Sequence, residues 1–321
     1  MKSFWVGQPD LERDLEEVRQ TVLQRAASED PDVQAAVAHL FSAPGKMLRP
    51  AFVLLASRFG SPDRDRILRV AAAVEMLHMA TLVHDDIIDG AATRRGVATL
   101  AALKGPRTAV LTGDWLLAAC VSLVAERGSI EDARALSRVV ARICGSEIGQ
   151  STDRFLLHTS LRRYLRRIAG KTAALFALAF HVGAFESGCS PELCSILRRL
   201  GYNLGMGFQI VDDVLDFSQK GSDTGKPTRS DLSQGIVTLP TILALRADDG
   251  RLRAALQRRP RSRLAVTRAA RLIEERGGLA GARDLAVRFT ERSRREIRRL
   301  PCVGARSVLE GTAEALLRRS F

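Results

Sequence analysis

Aromatic residues make up only 5% of the 321, and the Gly-Asn and Asp-Gly pairs that close β-hairpins are nearly absent. Both shortages argue against a sheet and for an all-α fold. No stretch approaches the roughly 18 uninterrupted apolar residues of a membrane-spanning helix, and the first residues carry no signal-peptide pattern. The five cysteines, Cys120, Cys144, Cys189, Cys194 and Cys302, are odd in number and form no Cys-x-x-Cys pair. They read as reduced thiols, and a cytoplasmic protein with no transmembrane segment is expected. Also missing are a linker, a low-complexity tract and any repeat beyond two short acidic clusters. A single large helical domain over residues 1–321 is the simplest organisation.

Hydrophobic residues, by contrast, supply 46% of the chain, enough for a substantial core, and the net charge is +13. That balance admits nucleic acid, an anionic membrane surface or a small polyanion as partner. Much of the excess is arginine spaced at helical intervals toward the C-terminus, without interleaved aromatics or a nucleic-acid motif. Solvated helix faces explain those arginines, and nucleic acid is set aside.

Two acidic clusters stand out: His84-Asp85-Asp86-Ile87-Ile88-Asp89 and Asp212-Asp213-Val214-Leu215-Asp216. On a helix, Asp85 and Asp89 share one face at i and i+4, as do Asp212 and Asp216, while Asp86 and Asp213 point elsewhere. Carboxylates about 4 Å apart repel by about 1 kcal/mol in water and about 4 kcal/mol at an effective dielectric of 20, so buried pairs need protons or cations. Hard divalent metal meets that need. One such cluster alone would read as a solvated helix end, but a second with the same spacing is not expected by chance.

Leu11, Leu15, Val18 and Val22 mark an amphipathic first helix ending before Pro31, and a short helix over 32–41 follows. Lys46 and Arg49 then lie in a Gly/Pro-punctuated bend, 42–50, that can receive an anion. An apolar helix from Arg66 to Asp89, with Val70, Ala73, Val74, Leu77, Thr81 and Leu82 among its buried positions, ends at Gly90. His78 lies two turns before Asp85 on the same face; it is either a core histidine bonded to backbone or part of a cavity shared with the carboxylates. Arg94 and Arg95 follow in a loop, a plain surface pair unless the acids beside them hold metal.

Helical segments come next at 107–126, 131–151 and 161–185, with Glu147 and Gln150 reading as solvent-facing. Lys171 and Thr172 interrupt the apolar third segment, where the ammonium either snorkels or meets an anion. Residues 191–219 form the helix of the second cluster, with Gln209 three before Asp212 on the same face. A polar loop, 220–235, carries Lys226 and feeds an amphipathic helix and four Arg-rich helical stretches.

Together the Asp pairs and Lys46, Arg49, Arg94, Arg95, Lys171 and Lys226 imply a polyphosphate held through bridging Mg2+, an ion that takes one or two carboxylates plus waters and phosphate oxygens. No P-loop accompanies them, against nucleotide hydrolysis. Diphosphate at the mouth of an apolar cavity points to an isoprenoid substrate. At this point the motifs GKMLRP, HDDIID, TRRG, GKTA, FQIVDDVLD, GKP and DLSQG with VTLP resemble, in order and spacing from about residue 40 to 245, the all-trans polyprenyl diphosphate synthases. These are class I head-to-tail prenyltransferases, with the isoprenoid synthase class I fold of helices around a central apolar cavity.

The resemblance implies condensation of an allylic diphosphate with isopentenyl diphosphate. Asp85, Asp89 and Asp212, supported by Asp86 and Asp216, would hold three Mg2+ on the allylic diphosphate, which Arg94, Lys171 and Lys226 would contact as well. Lys46, Arg49, His78 and Arg95 would bind the diphosphate of isopentenyl diphosphate, and Gln209 with the bend at Lys171 and Thr172 would stabilise the carbocation. A homodimer is also implied, with peripheral membrane contact for product release, and Glu147 and Gln150 match a pattern of the longer-chain members. In members that stop early a bulky aromatic near Ala80 and Thr81 forms the tunnel floor. Here both are small and Met76 is a candidate lower floor, which implies a product of at least geranylgeranyl length. Met47 and Ile236 depart from the family pattern, each standing where a cation is usual. The rival readings are a class I terpene cyclase, disfavoured by the second Asp cluster, and a non-catalytic subunit of a heteromeric synthase, disfavoured because both clusters are intact.

Overall fold

Leu11, Leu15, Val18 and Val22 all lie buried on one stripe of α1, Pro9–Arg25, which starts on a proline and places Asp10 and Glu12 in its first turn, where the helix dipole favours them. The protein is seen here as a computed structural model that describes residues 4–42, 45–94, 96–127, 129–217, 230–258 and 262–318. It divides into two compact units, residues 1–137 with 178–198 and residues 138–177 with 199–321.

In the first unit, Asp30 caps α2, Pro31–Leu40, by accepting the Asp32 and Val33 N–H groups, and Asp63 caps α4, Arg64–Ile88, in the same way. Helix α3, Leu48–Ser57, is buried over nearly its whole length. Helix α4 packs against α1, α3 and α6, Pro106–Arg127, and ends at Gly90, whose φ of +61° suits a glycine. Along α4, Ala73, Val74 and Leu77 are buried as expected, whereas Val70, Thr81 and Leu82 are only half-buried. Beyond Gly90, two-residue strands β1, Thr93–Arg94, and β2, Val97–Ala98, pair antiparallel, Thr93 with Ala98 and Arg94 with Val97. A short α5, Leu100–Lys104, capped by Thr99, follows.

Helix α7, Ile130–Thr152, carries the chain into the second unit. The expected helix over 161–185 is there, but in three parts: α8, Leu161–Ile168, a π-helical turn, Ala169–Ala173, and α9, Ala174–Phe185. From Leu178 onward it belongs to the first unit. Helix α10 spans Pro191–Leu215, and after it come α11, Ser230–Gln234, α12, Leu239–Arg246, α13, Arg251–Gln257, α14, Arg263–Glu275, α15, Gly278–Arg298, and α16, Gly304–Arg318. Tyr164, Ile168, Ile210, Val214, Leu239 and Phe289 are central to the core of this unit. A Cβ at Gly205 would lie 2.6 Å from Cα of Ala173, so only glycine lets α10 meet the π-turn this closely. Helix α12, expected to be amphipathic, instead buries Leu239, Pro240, Thr241, Ile242 and Ala244, because α8, α14 and α15 pack around it.

By length and composition α4, the stretch Pro106–Glu126 and the run Leu161–Phe185 could each cross a membrane. In the first and third, 67% and 72% of the apolar window is buried within the protein, which accounts for their composition; in α6 only 33% is.

Candidate active site

Helix α4 stays helical through its C-cap, Asp89, at φ −83° and ψ −10°, so Asp85 and Asp89 project from one face and both are half-exposed. Asp86 turns inward to 7% exposure. There it accepts Nε and Nη2 of Arg94 at 2.8 and 2.7 Å, which ties the β1–β2 hairpin to the end of α4. Two turns back, Nε2 of His78 lies 2.8 Å from Nη1 of Arg49. A guanidinium can only donate, so Nε2 is the acceptor in this contact; His78 has a side-chain partner rather than a backbone one at this nitrogen. Lys46 holds its ammonium 4.9 Å from the centroid of the Phe4 ring. His84 stays with its own unit, Nε2 near Oδ1 of Asp114 and the Val110 carbonyl, in space that a side chain on Gly113 would fill.

The second unit repeats this layout on α10. Asp212 and Asp216 are half-exposed and Asp213 is 5% exposed. Asp213 accepts the Tyr164 hydroxyl at 2.7 Å and Nε2 of Gln209 at 2.9 Å, while Oε1 of Gln209 accepts the Thr172 hydroxyl at 2.5 Å. Burial pushes the Asp213 carboxyl up to about 6 despite those two hydrogen bonds. The buried phenol of Tyr164 is pushed well above its usual range, by burial first and by the adjacent Asp213 second. Arg167 lies over the Tyr164 ring and donates to the Val237 carbonyl at 2.7 Å. Gln209 and Thr172, expected near one another from the motifs, thus join the π-turn to α10. Lys171, on that turn, meets an anion rather than snorkelling: its ammonium lies 2.8 Å from Glu147, which is buried, not solvent-facing.

Met76 and Ala80 are fully enclosed, and Thr81 donates its hydroxyl to the His78 carbonyl. One turn beyond Met76, Ala73 and Val74 of α4 face Leu123, Leu178 and Val182 across an apolar cavity. Ile236 is buried in the second unit, where a charge would be costly. Arg95 and Lys226 lie outside the described residues. Sequence reasoning missed Tyr164, Arg167, Trp5 and Phe4. For Tyr164 and Trp5 the signal was rarity, since the chain has two Tyr and two Trp; Arg167 and Phe4 carried none.

Among the described residues no three His, Cys, Asp or Glu side chains converge as a metal cage. Half-exposed carboxylates in pairs suit Mg2+, which completes its shell with water and substrate oxygens. A profile of the Polyprenyl synthetase family matches residues 30–273. The chain belongs to that family. The heptaprenyl diphosphate synthase component 2 of Geobacillus stearothermophilus is 43% identical over 246 residues, 77% of this chain and 76% of that protein. The structure of heptaprenyl diphosphate synthase from Staphylococcus aureus has a TM-score of 0.92 at 32% identity, covering 97% of this chain and 99% of that one. A polyprenyl synthase from Caulobacter crescentus CB15, complexed with calcium and isoprenyl diphosphate, has a TM-score of 0.92 at 33% identity, covering 97% and 96%. This polyprenyl synthetase is therefore a prenyltransferase, with the all-α isoprenoid synthase fold that its motifs implied.

Proposed function

We propose that this polyprenyl synthetase extends an allylic diphosphate with isopentenyl diphosphate in the presence of Mg2+, giving an all-trans product longer than geranylgeranyl. The observation that carries the reading is the sorting of carboxylates: in both clusters the outer pair is half-exposed and the middle one is buried in a hydrogen-bonded network. Asp85 and Asp89, and likewise Asp212 and Asp216, are the carboxylates that would hold Mg2+, three ions in all. When bound, the metal supplies the positive charge that turns diphosphate into a leaving group. Asp86 supports by holding Arg94 in place.

Arg94, Lys171 and Lys226 neutralise the allylic diphosphate, and Lys171 leaves or shares Glu147 to do so. Lys46, Arg49, His78 and Arg95 hold isopentenyl diphosphate, whose double bond is the nucleophile for the allylic carbon. Oxygens of Gln209 and Thr172 turn their negative ends to the carbocation. The isopentenyl double bond attacks that carbon, the proton lost goes to the released diphosphate, and the apolar walls exclude water, which would otherwise trap the cation. Small Ala80 and the cavity beyond Met76 support a long product, and heptaprenyl is the length in the names of two relatives.

The family match runs through both compact units, which supports one functional domain over 1–321. Exposed Val110, Leu111, Trp115 and Val121 on α6 support burial of that face against a second copy, and membrane contact for product release would use apolar surface of the same kind. Five free cysteines support the cytoplasm as its place. A second reading has one specific support: the 43% identical relative is named component 2, so a different polypeptide is the alternative partner.

The test is incubation of the purified chain with labelled isopentenyl diphosphate, Mg2+ and each of several allylic primers, followed by chain-length analysis. Incorporation by the chain alone is expected. Conversion of the allylic diphosphate alone to hydrocarbon would make it a cyclase, and activity only with a second polypeptide would make it a component.

A further inference from the structure

The turn that carries Lys46 is not held by the usual means. Helix α3 starts from Met47, whose φ of +48° lies in the left-handed region and whose side chain makes no capping hydrogen bond. A non-glycine residue there is strained and persists only when its surroundings fix it. The fixing contact comes from far upstream. Trp5, 4% exposed, donates its indole N–H to the Lys46 carbonyl at 2.8 Å. Phe4 meets Trp5 edge to face, centroids 4.9 Å apart at 85°, and turns its own ring toward the Lys46 ammonium. Trp5 is itself anchored, because its carbonyl accepts the Gln8 N–H at 3.0 Å at the foot of α1, whose buried stripe packs on α3 and α4.

One indole thus sets the peptide plane after Lys46, and one phenyl ring sets the position of the same residue's ammonium. The two effects are complementary. A ring face attracts a cation through its quadrupole and takes none of its N–H donors, so Phe4 restrains the ammonium without a hydrogen bond of its own. Arg49, in the first turn of α3, is restrained separately by His78.

We infer that Phe4 and Trp5 are positioning residues for isopentenyl diphosphate: they hold the Lys46–Met47 turn in the shape that presents Lys46 to that substrate's diphosphate. The inference rests on the proposed assignment of Lys46 to isopentenyl diphosphate. A pair that merely filled a hole would affect folding and leave the balance between the two substrates alone. A positioning pair acts on one KM.

The test uses the full chain and two conservative variants. Trp5→Phe keeps the buried ring and removes the N–H, and Phe4→Leu keeps apolar contact and removes the ring face. Steady-state rates are measured with isopentenyl diphosphate and the allylic diphosphate varied separately, beside thermal melts, and Lys46→Gln serves as reference. Each aromatic variant is expected to raise the KM for isopentenyl diphosphate by about fivefold, the worth of one such contact, with kcat and the allylic KM changed by less than about twofold. In a Lys46→Gln background, Phe4→Leu should add nothing. If Lys46→Gln itself leaves that KM unchanged, the assignment of Lys46 fails and the inference with it. If Lys46→Gln raises the KM and neither aromatic variant does, or both variants lower only kcat or the melting temperature, the positioning role is overturned and the reading of the site stands.

Discussion

Asp86 and Asp213 occupy the same place in their clusters, one residue past the first carboxylate, and both are nearly buried. Asp86 is met by a guanidinium, Arg94, from a hairpin only eight residues away. Asp213 is met by a phenol and an amide, neither of which carries charge, and the phenol comes from a helix 49 residues away. The contrast separates two jobs within one motif. The outer carboxylates share a half-exposed face, the one proposed to meet metal and substrate, while the middle one fastens scaffold: a local hairpin in the first unit, and α8 to α10 in the second. Neutral partners compensate a buried charge less than a cation does, and the raised Asp213 carboxyl is the consequence.

The largest expected effect lies on the outer carboxylates. Asp85→Ala or Asp212→Ala should lower the rate of isopentenyl incorporation by about a thousandfold or more, with the melting temperature changed by no more than about 2 °C. Equal losses in folding would dissolve the distinction between outer and middle positions. The first cluster's helix alone is expected to set product length, so Ala80→Phe should shorten the product while keeping incorporation, and chain-length analysis that shows no change would remove Ala80 from the wall.

Next in size comes the scaffold role. Asp213→Ala strands Tyr164 and Gln209 and should cost about 1–3 kcal/mol of stability, measured by denaturant unfolding. Asp213→Asn, which can accept from Tyr164, should cost less. The smallest effect sharpens the comparison with a third buried carboxylate that has no place in either cluster. Glu186 is pushed up to about 7, first by burial and then by Asp132, against the lowering effect of its ion pair with Arg66. A carboxyl raised in the folded state favours folding fully below its ordinary range, and that contribution is lost as pH rises through about 7. Between pH 5 and 8 the parent should therefore lose about a few degrees of melting temperature relative to Glu186→Gln; parallel curves would show that burial leaves Glu186 untouched.

Much of the fold was legible because long helices announce themselves. The stripe of α1 and the stop at Gly90 are local signals, and the outer Asp pairs follow from helical spacing alone. What escaped was either too short or too distant. Strands of two residues and helices of five, such as α5 and α11, hold too few periods of their pattern to be recognised. Glu147 reads as solvent-facing until the chain folds Lys171 onto it, and Trp5 contacts Lys46 across 41 residues. No spacing rule predicts such pairs. Helix α12 looked amphipathic because sequence shows composition and not which neighbours enclose it.

The division of labour within the clusters is tested most directly by the initial rate of isopentenyl incorporation as a function of Mg2+ concentration in Asp212→Asn and Asp213→Asn. The first is expected to lose about three orders of magnitude in rate or to demand far more Mg2+, and the second to stay within about tenfold of the parent at an unchanged Mg2+ midpoint. Equal loss in both, with melting temperatures unchanged, would contradict it.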